Sequence, residues 1–385
     1  MIRAKSNSSG ILTKSGHIYI WGTNLYALNY IEYGKFDVTT PKLIPYVKFT
    51  NNVIGILSNI PKNNIIDISL GEYHSGVLTK DGMVYIWGKN EFSQLGLGDT
   101  HFRSTPTLIP QSSFKNEKII SLELGYETSG CITESYKLYL WGNNNAGRLG
   151  TGDDTTREFP TLLHPSKFNG GKILTIRLCR DHSGAITKSG QLYMWGYNGF
   201  GQLGDGTHID KNIPTLIPQS IFENEKIIHL TIGEFNSGII TESGKVYLCG
   251  NNSFGQIGDG TTILRSTPTL IHPSYFNNEK VIALSLGSSH SGAITESGQL
   301  YMWGFNKFGQ LGLNTDNNEY IPKLVPSSYF NNEPIIELAI GDDHTLVLTS
   351  SNKLYATGHN AHGQLGLGDT NYRKKFEFVV DINNL

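Results

Sequence analysis

The sequence predicts an all-β fold, a seven-bladed β-propeller of four-stranded antiparallel blades, and three observations predict it. The dipeptide that ends each run of the form LYxWG recurs at Trp21-Gly22, Trp87-Gly88, Trp141-Gly142, Trp195-Gly196, Cys249-Gly250, Trp303-Gly304 and Thr357-Gly358. The first step is 66 residues and the other five are 54, and self-similarity at such a period marks a propeller or solenoid. The segment that opens each unit alternates apolar and polar residues with the two-residue period of a strand. The 44 glycines fall largely in register with the repeat, and no segment sustains a helical apolar period.

Each unit reads as four strands. In "IISLEL", Ile119 to Leu124, the residues Ile120, Leu122 and Leu124 alternate with Ser121 and Glu123; "IIDISL", "ILTIRL", "IIHLTI", "VIALSL" and "IIELAI" keep that pattern. The second strand is "SGCIT" or its equivalent, and the third is "KLYLWG". A glycine-rich loop such as "NEFSQLGLGDT" leads to the fourth strand, "PTLIP". Proline at the ends of that strand fits an outer edge, where a missing amide donor is tolerated. Seven such units fill residues 1–385 as one propeller domain, with an insertion at 46–64 after the first unit.

Composition narrows the function. Lys+Arg 31 against Asp+Glu 33 leaves no overall field to hold polyanions or anionic membranes. No basic run exceeds Arg373-Lys374-Lys375, so no direct nucleic-acid contact is expected. The opening "MIRAKSNSSG" lacks the apolar core of a secretory signal, and no apolar run is long enough to span a bilayer. Cys131, Cys179 and Cys249 are odd in number and lack metal-ligand spacing, which suggests a reducing compartment and buried small apolar roles. A cytoplasmic protein is expected, monomeric and without membrane insertion. The Asn/Ile/Lys-rich wording also suits an AT-rich genome, so an effector secreted into a host cell without a cleaved signal is a second setting.

"GEYHSGVLTKDGMVYIWGKNEFSQLGLGDT", Gly71 to Thr100, and its six relatives resemble the repeat of the regulator of chromosome condensation family. The resemblance covers essentially the whole chain and implies a seven-bladed propeller, in agreement with the count of units. Unlike the family's founding member, this chain opens with a shortened complete unit and ends on a fourth strand, "KKFEFVV". Closure of the ring by strand exchange is therefore an open question at this level.

Most repeated residues read as structure. Gly76, Gly130, Gly184, Gly238 and Gly292 share one register and suit close backbone approach or a bulge. The aromatic residues of LYxWG suit packing between blades. His74, His182, His290 and His344 share another register, where a structural or turn-capping role is the simple reading. "GLGDT" and "GDGTT" lack the spaced carboxylates and final glutamate of a calcium loop, so they read as turns. A catalytic set must converge on one point and break the repeat's symmetry. Ser, His and Asp here recur blade after blade, which argues against bond-making catalysis; no cofactor or metal is expected.

Function is sought where the copies differ. The turns between first and second strands read "GEYH", "GYET", "CRDH", "GEFN", "GSSH" and "GDDH" and carry Glu72, Glu127, Asp181, Glu234, Asp342 and Asp343. One face should therefore have an acidic inner zone, either a solvated rim or a docking surface for a basic partner. In the resembled family that face engages the small GTPase Ran, and acidic residues with a histidine support nucleotide release. The resemblance maps this role onto Asp181 with His182 and Asp343 with His344. The inserted "NNVIGIL" (Asn51, Asn52, Val53, Ile54, Gly55, Ile56 and Leu57) resembles the family's β-wedge, which pries at the nucleotide site of Ran. The family wedge follows the WG strand, whereas this insertion follows the next strand and should leave the ring on the other face. An exposed apolar loop needs a partner to cover it or a core to enter, so a blade-covering linker stands beside the wedge.

Two functions follow. One is a propeller that binds a Ran-like small GTPase and promotes guanine nucleotide exchange. The alternative is a non-catalytic adaptor or scaffold for another protein. Light sensing like that of the plant UV-B receptors is disfavoured, because all five tryptophans are spent on WG positions. The family's large ubiquitin ligases carry an added catalytic domain, for which no residues remain here.

Overall fold

The computed structural model describes residues 1–14, 17–22, 38–43 and 64–385. The wedge candidate Asn51–Leu57, and all of the insertion but Asn64, lie outside the described residues. Seven separate four-stranded antiparallel sheets form, each from strands consecutive in sequence. Blade 1 comprises Ile2–Lys5, Ser8–Leu12, Ile18–Gly22 and Val38–Leu43. Blade 3 shows the full pattern in Ile119–Leu124, Thr128–Thr133, Leu138–Gly142 and Arg157–Leu163. Blade 7 comprises Ile335–Ile340, His344–Thr349, Lys353–Gly358 and Arg373–Asp381. The first strands of all seven blades line a central channel of about 530 Å³. Fourth strands are outermost in each sheet, which is where Pro106, Pro160, Pro214, Pro268 and Pro322 cost no ladder bond.

The simple alternation of the first strand is corrected in one respect. A register shift near its start recurs in blades 2 to 7. It turns the second residue outward, because the extra residue of a bulge is left unpaired. Ile119, not Ile120, is therefore buried with Leu122 and Leu124, while Ile120 is 48% exposed. The predicted glycine role is close approach rather than the bulge itself: a Cβ on Gly130 would lie 2.5 Å from Leu140 Cδ2. One element was not foreseen from sequence. Short 3₁₀ turns, Gln111–Phe114, Pro165–Phe168, Gln219–Phe222, Pro273–Phe276 and Ser327–Phe330, join one blade to the next. Each buries its phenylalanine, edge-on to the tyrosine of the following blade's third strand, as in Phe114–Tyr139 at 5.6 Å.

Successive blades share both a core and a polar joint. Leu78, Val84, Ile86 and Leu95 of blade 2 pack with Leu122, Leu124, Tyr139 and Trp141 of blade 3. Beside them, the carbonyl of Gln94 in the loop of blade 2 accepts two bonds from blade 3. Ser129 Oγ–H donates at 2.7 Å and Trp141 Nε1–H at 2.9 Å. Ser129 Oγ in turn lies 2.8 Å from His74 Nε2 of blade 2. Arg148 and Gln256 offer their carbonyls to Ser183 with Trp195 and to Ser291 with Trp303 in the same way. The tryptophan and serine thus recur because each must reach the neighbouring blade's backbone.

The ring closes with this joint and without strand exchange. Ser9 and Trp21 of blade 1 both donate to Gln364 O of blade 7 at 2.9 Å. His344 Nε2 lies 2.9 Å from Ser9 Oγ. Among the described residues, two joints depart from the pattern. Cys249 stands in a tryptophan position, with Sγ 3.5 Å from Gln202 O. In blade 7 Thr357 Oγ1 reaches Gly309 O at 2.9 Å, and buried Phe376, 5.1 Å from Phe330, supplies the missing ring.

Candidate protein-docking face

In an antiparallel meander, the turns between first and second strands and the loops between third and fourth strands share one face. The connections from a fourth strand to the next blade leave from the other. The acidic turns therefore crowd the channel mouth on one face, and Leu43 and Asn64, which flank the undescribed insertion, lie toward the opposite one.

In blades 2, 6 and 7 the turn is tight because it opens on a glycine over which a buried histidine folds. At Gly341 a Cβ would come within 2.2 Å of His344 Cε1. Neighbouring turns are stitched through the backbone, with Glu72 N–H donating to Gly125 O at 3.3 Å and Asp342 N–H to Ser6 O at 3.1 Å. Lys5, Glu72, Tyr126, Cys179, Arg180, Glu234 and Asp342 line a cavity of about 100 Å³ in the mouth. Lys5 Nζ lies 3.8 Å from Cys179 Sγ.

The site candidates separate into three groups. Glu72, Glu234, Asp342 and Asp343 gather at the mouth. Asp181 is engaged beneath it, 2.7 Å from Arg148 Nη2, whose side chain is only 8% exposed. Arg180 extends this network to Glu234 at 2.7 Å and to Asp181 at 3.6 Å. His182 and His344 are fully buried and bond to Ser237 and Ser9 of the next blade, at 3.0 and 2.9 Å. They position the turns and offer no surface to a partner, which corrects their assignment to the docking face. Glu127 accepts from Asn143 Nδ2 at 2.8 Å and belongs to the loop framework.

Electrostatics single out the first group. Burial, with Asp342 and Glu234 nearby, pushes the Glu72 carboxyl up to about 7, and Lys5 and Arg180 offset this only in part. Its Oε2 is buried with no hydrogen-bond partner among the described residues. Burial first, and then Glu234 and Asp343, raise Asp342 to about 6 against the pull of Lys5. Asp343 is raised by burial and by Glu234. Burial holds His74, His182, His290 and His344 down at about 3, hence neutral. Carboxylates kept this close without matching cations resist ionisation, and an incoming cation would relieve that cost.

The glycine-rich loops prove to be turns, as predicted. Asp99 holds Arg103 at 2.6 Å and Asp153 holds Arg157 at 2.7 Å. Cys131, Cys179 and Cys249 are unpaired and buried. Lys5, Arg180 and Arg148 escaped sequence reading. Arg180 had a visible signal, since "CRDH" puts a cation where the other turns have Glu, Tyr, Ser or Asp. Lys5 had none, because the shortened first unit hides its register.

Comparison with known proteins accords with this architecture. The regulator of chromosome condensation (RCC1) repeat matches residues 81–132, 137–186, 189–240, 243–294 and 297–348. A second form of that repeat matches 65–94, 281–310 and 335–364. The chain is 29% identical over 325 residues to ultraviolet-B receptor UVR8 of Arabidopsis thaliana, covering 83% of this chain and 72% of that protein. It is 32% identical over 323 residues to the human X-linked retinitis pigmentosa GTPase regulator, covering 82% of this chain but 30% of that protein's length. Among solved structures, Prp20p of Saccharomyces cerevisiae, described with its binding to Gsp1p and histones, superposes with a TM-score of 0.77. It shares 20% identity, over 94% of this chain and 86% of that one.

Proposed function

The chain belongs to the regulator of chromosome condensation repeat family, and we propose that it is a protein-binding propeller whose acidic mouth docks a small GTPase of the Ran type. The observation that carries this reading is the set of crowded carboxyls Glu72, Glu234, Asp342 and Asp343 at one end of the channel. Prp20p, a structural neighbour, is described with its binding to Gsp1p and histones; the choice of a GTPase follows the family resemblance together with this charge. No bond-making chemistry is invoked. An exchange factor acts by binding the nucleotide-free GTPase better than the loaded one, and carboxylates that compete for the cations of a phosphate site would supply that difference. A host-cell setting for such a partner is part of the same proposal, motivated by composition alone.

The test is capture of purified Ran by the immobilised propeller, with EDTA to strip nucleotide or with excess GDP and magnesium, followed by release of a fluorescent guanine nucleotide. Retention that is stronger without nucleotide, with release accelerated at least tenfold, supports the reading. Equal retention in both conditions, or none, sinks it.

A second reading has its own support. Leu43 and Asn64, the described residues on either side of the wedge candidate, sit at strand ends opposite the acidic mouth. An adaptor that docks a basic protein on the acidic face without promoting exchange fits that placement. It predicts capture insensitive to nucleotide.

A further inference from the structure

The docking face carries a second, non-acidic feature that the repeat does not require. Phe200 of blade 4 packs on Phe235 of blade 5, with ring centroids 4.9 Å apart. Phe254 of blade 5 packs on Phe305 of blade 6 at 4.8 Å, and Phe308 of blade 6 on His359 of blade 7 at 4.8 Å. Phe305 and Phe308 complete the run at 6.2 Å. All come from the first-to-second turns or from the loops after the third strand, so they share the face of the acidic mouth. All six are partly exposed, Phe254 most of all at 38%.

The other side of the ring shows what such rings do here. Tyr73 and Tyr126 occupy the equivalent turns of blades 2 and 3, and each already holds a cation. Lys89 Nζ stands 4.8 Å over Tyr73 and the Arg180 guanidinium 5.0 Å over Tyr126. Among the described residues, no lysine or arginine stands over Phe200, Phe235, Phe254, Phe305 or Phe308. The arc also lies against carboxylates. Glu234, which pairs with Arg180 at 2.7 Å, adjoins Phe235 in one turn. Gln310 ties Phe308 to Asp343, accepting from Phe308 N–H at 3.0 Å and donating to Asp343 Oδ1 at 3.2 Å. His359 N–H donates to Asp343 O at 2.9 Å. An aromatic face beside a carboxylate binds a guanidinium from two sides, through the ring quadrupole and through charge.

We propose that the arc from Phe200 to His359, with Glu234, Asp342 and Asp343 along it, is a receptor for arginine side chains carried by a protein partner. The inference rests on the reading that this face docks a protein, and it narrows that partner's chemistry to a surface rich in arginine. The arc does from outside what Lys89 and Arg180 do for Tyr73 and Tyr126 from within.

The experiment uses the full chain and a fluorescein-labelled Gly/Ser peptide bearing three arginines, read by anisotropy at low and at physiological salt. A second peptide has the arginines replaced by citrulline, which keeps the shape and removes the charge. The arginine peptide should bind at least tenfold more tightly than the citrulline peptide. Phe254→Leu with Phe308→Leu, which retains apolar bulk, should weaken it at least threefold with little change in melting temperature. Asn251→Lys occupies the position that Lys89 holds in blade 2; it should cap Phe235 from within and weaken the peptide similarly. No binding at low salt, equal binding of both peptides, or unchanged affinity in both variants overturns the proposal. The GTPase reading fails separately: loss of Ran capture with peptide binding intact rejects that partner and leaves the arginine receptor standing.

Discussion

Asp181 and Asp343 look alike in sequence and behave differently in the ring. Asp181 neutralises a guanidinium that is almost wholly enclosed, so Asp181→Lys should destabilise the protein by about 3 kcal/mol, the usual order for breaking a buried pair. Asp343 faces the neutral amide of Gln310, which donates at 3.2 Å, so Asp343→Lys breaks no ion pair and should cost less stability than Asp181→Lys while weakening GTPase capture most at low salt, where charges are least screened. Chemical denaturation of both variants, beside a capture assay, checks this; equal stability loss would reject the distinction. A second prediction concerns pH. Glu72 has its pKa raised on folding, so the folded state binds more protons there than the unfolded chain between about pH 4.5 and 7. Its charge therefore costs stability as pH rises through that window, and Glu72→Gln should stabilise at pH 8 more than at pH 4. The buried histidines act in the opposite sense. Their pKa values fall on folding, so stability is lost as pH drops below about 6.5 toward 3. Ser237→Ala, which removes the hydroxyl beside His182, should lower stability by about 1–3 kcal/mol at neutral pH. The histidine register was legible in the sequence as structure. Its partner was not, because Ser237 lies 55 residues beyond His182 and only the closed ring brings them together.

Strands and joints were legible to different degrees for a physical reason. Period-two alternation and the WG landmarks report burial within a blade, and the four-strand unit follows from them directly. The bulge that exposes Ile120 lies between the first and second strands of one blade and leaves no mark on the apolar alternation, whereas the buried 3₁₀ turns carry a repeated signal, a Pro and a Ser shortly before the phenylalanine. The joints also predict unequal strength. The seam between blades 4 and 5 has a thiol 3.5 Å from Gln202 O, where the regular seams have an indole N–H at 2.9–3.0 Å. Hydrogen exchange should therefore open first at the amides of Asn236–Thr241 and Val246–Gly250, and Cys249→Trp will not repair the seam unless the core beside Gly204 makes room. Uniform protection across all seams would refute the ranking. The insertion was conspicuous in sequence, and its two readings separate by experiment. Replacing Val53–Leu57 by a Gly/Ser linker should, for a wedge, cost little stability, since loop entropy changes slowly with composition and length. It should also slow nucleotide release at least tenfold, about 1.4 kcal/mol. For a blade-covering loop, each buried aliphatic is worth about 1.5–3 kcal/mol and the melting temperature should fall clearly. A destabilised protein with intact release sinks the wedge.

The whole ring is held without a covalent or strand-exchanged latch. Blade 7 grips blade 1 through Gln364 O as blade 2 grips blade 3 through Gln94 O. It follows that the ring can be assembled from parts. Co-expressed fragments 1–170 and 171–385, divided at Gly170, where a Cβ would meet nothing within 4 Å, should co-purify and melt as one cooperative unit. Two independent transitions, or no association, would show that chain continuity supplies what the seams do not. The seven-blade count was readable because it is arithmetic on a period. The arginine-receptive arc was not, because Phe200, Phe235, Phe254 and Phe305 are scattered over more than a hundred residues and acquire a common face only when the circle is complete. The uniform clasp carries a further implication for descent. Since each described seam sets one unit's loop carbonyl against the hydroxyl of the next unit's second strand, an in-frame gain or loss of 54 codons leaves two ends that still fit. Inheritance is then free to copy, delete and diversify single blades, and only the wedge shape of the core between them decides how many make a circle.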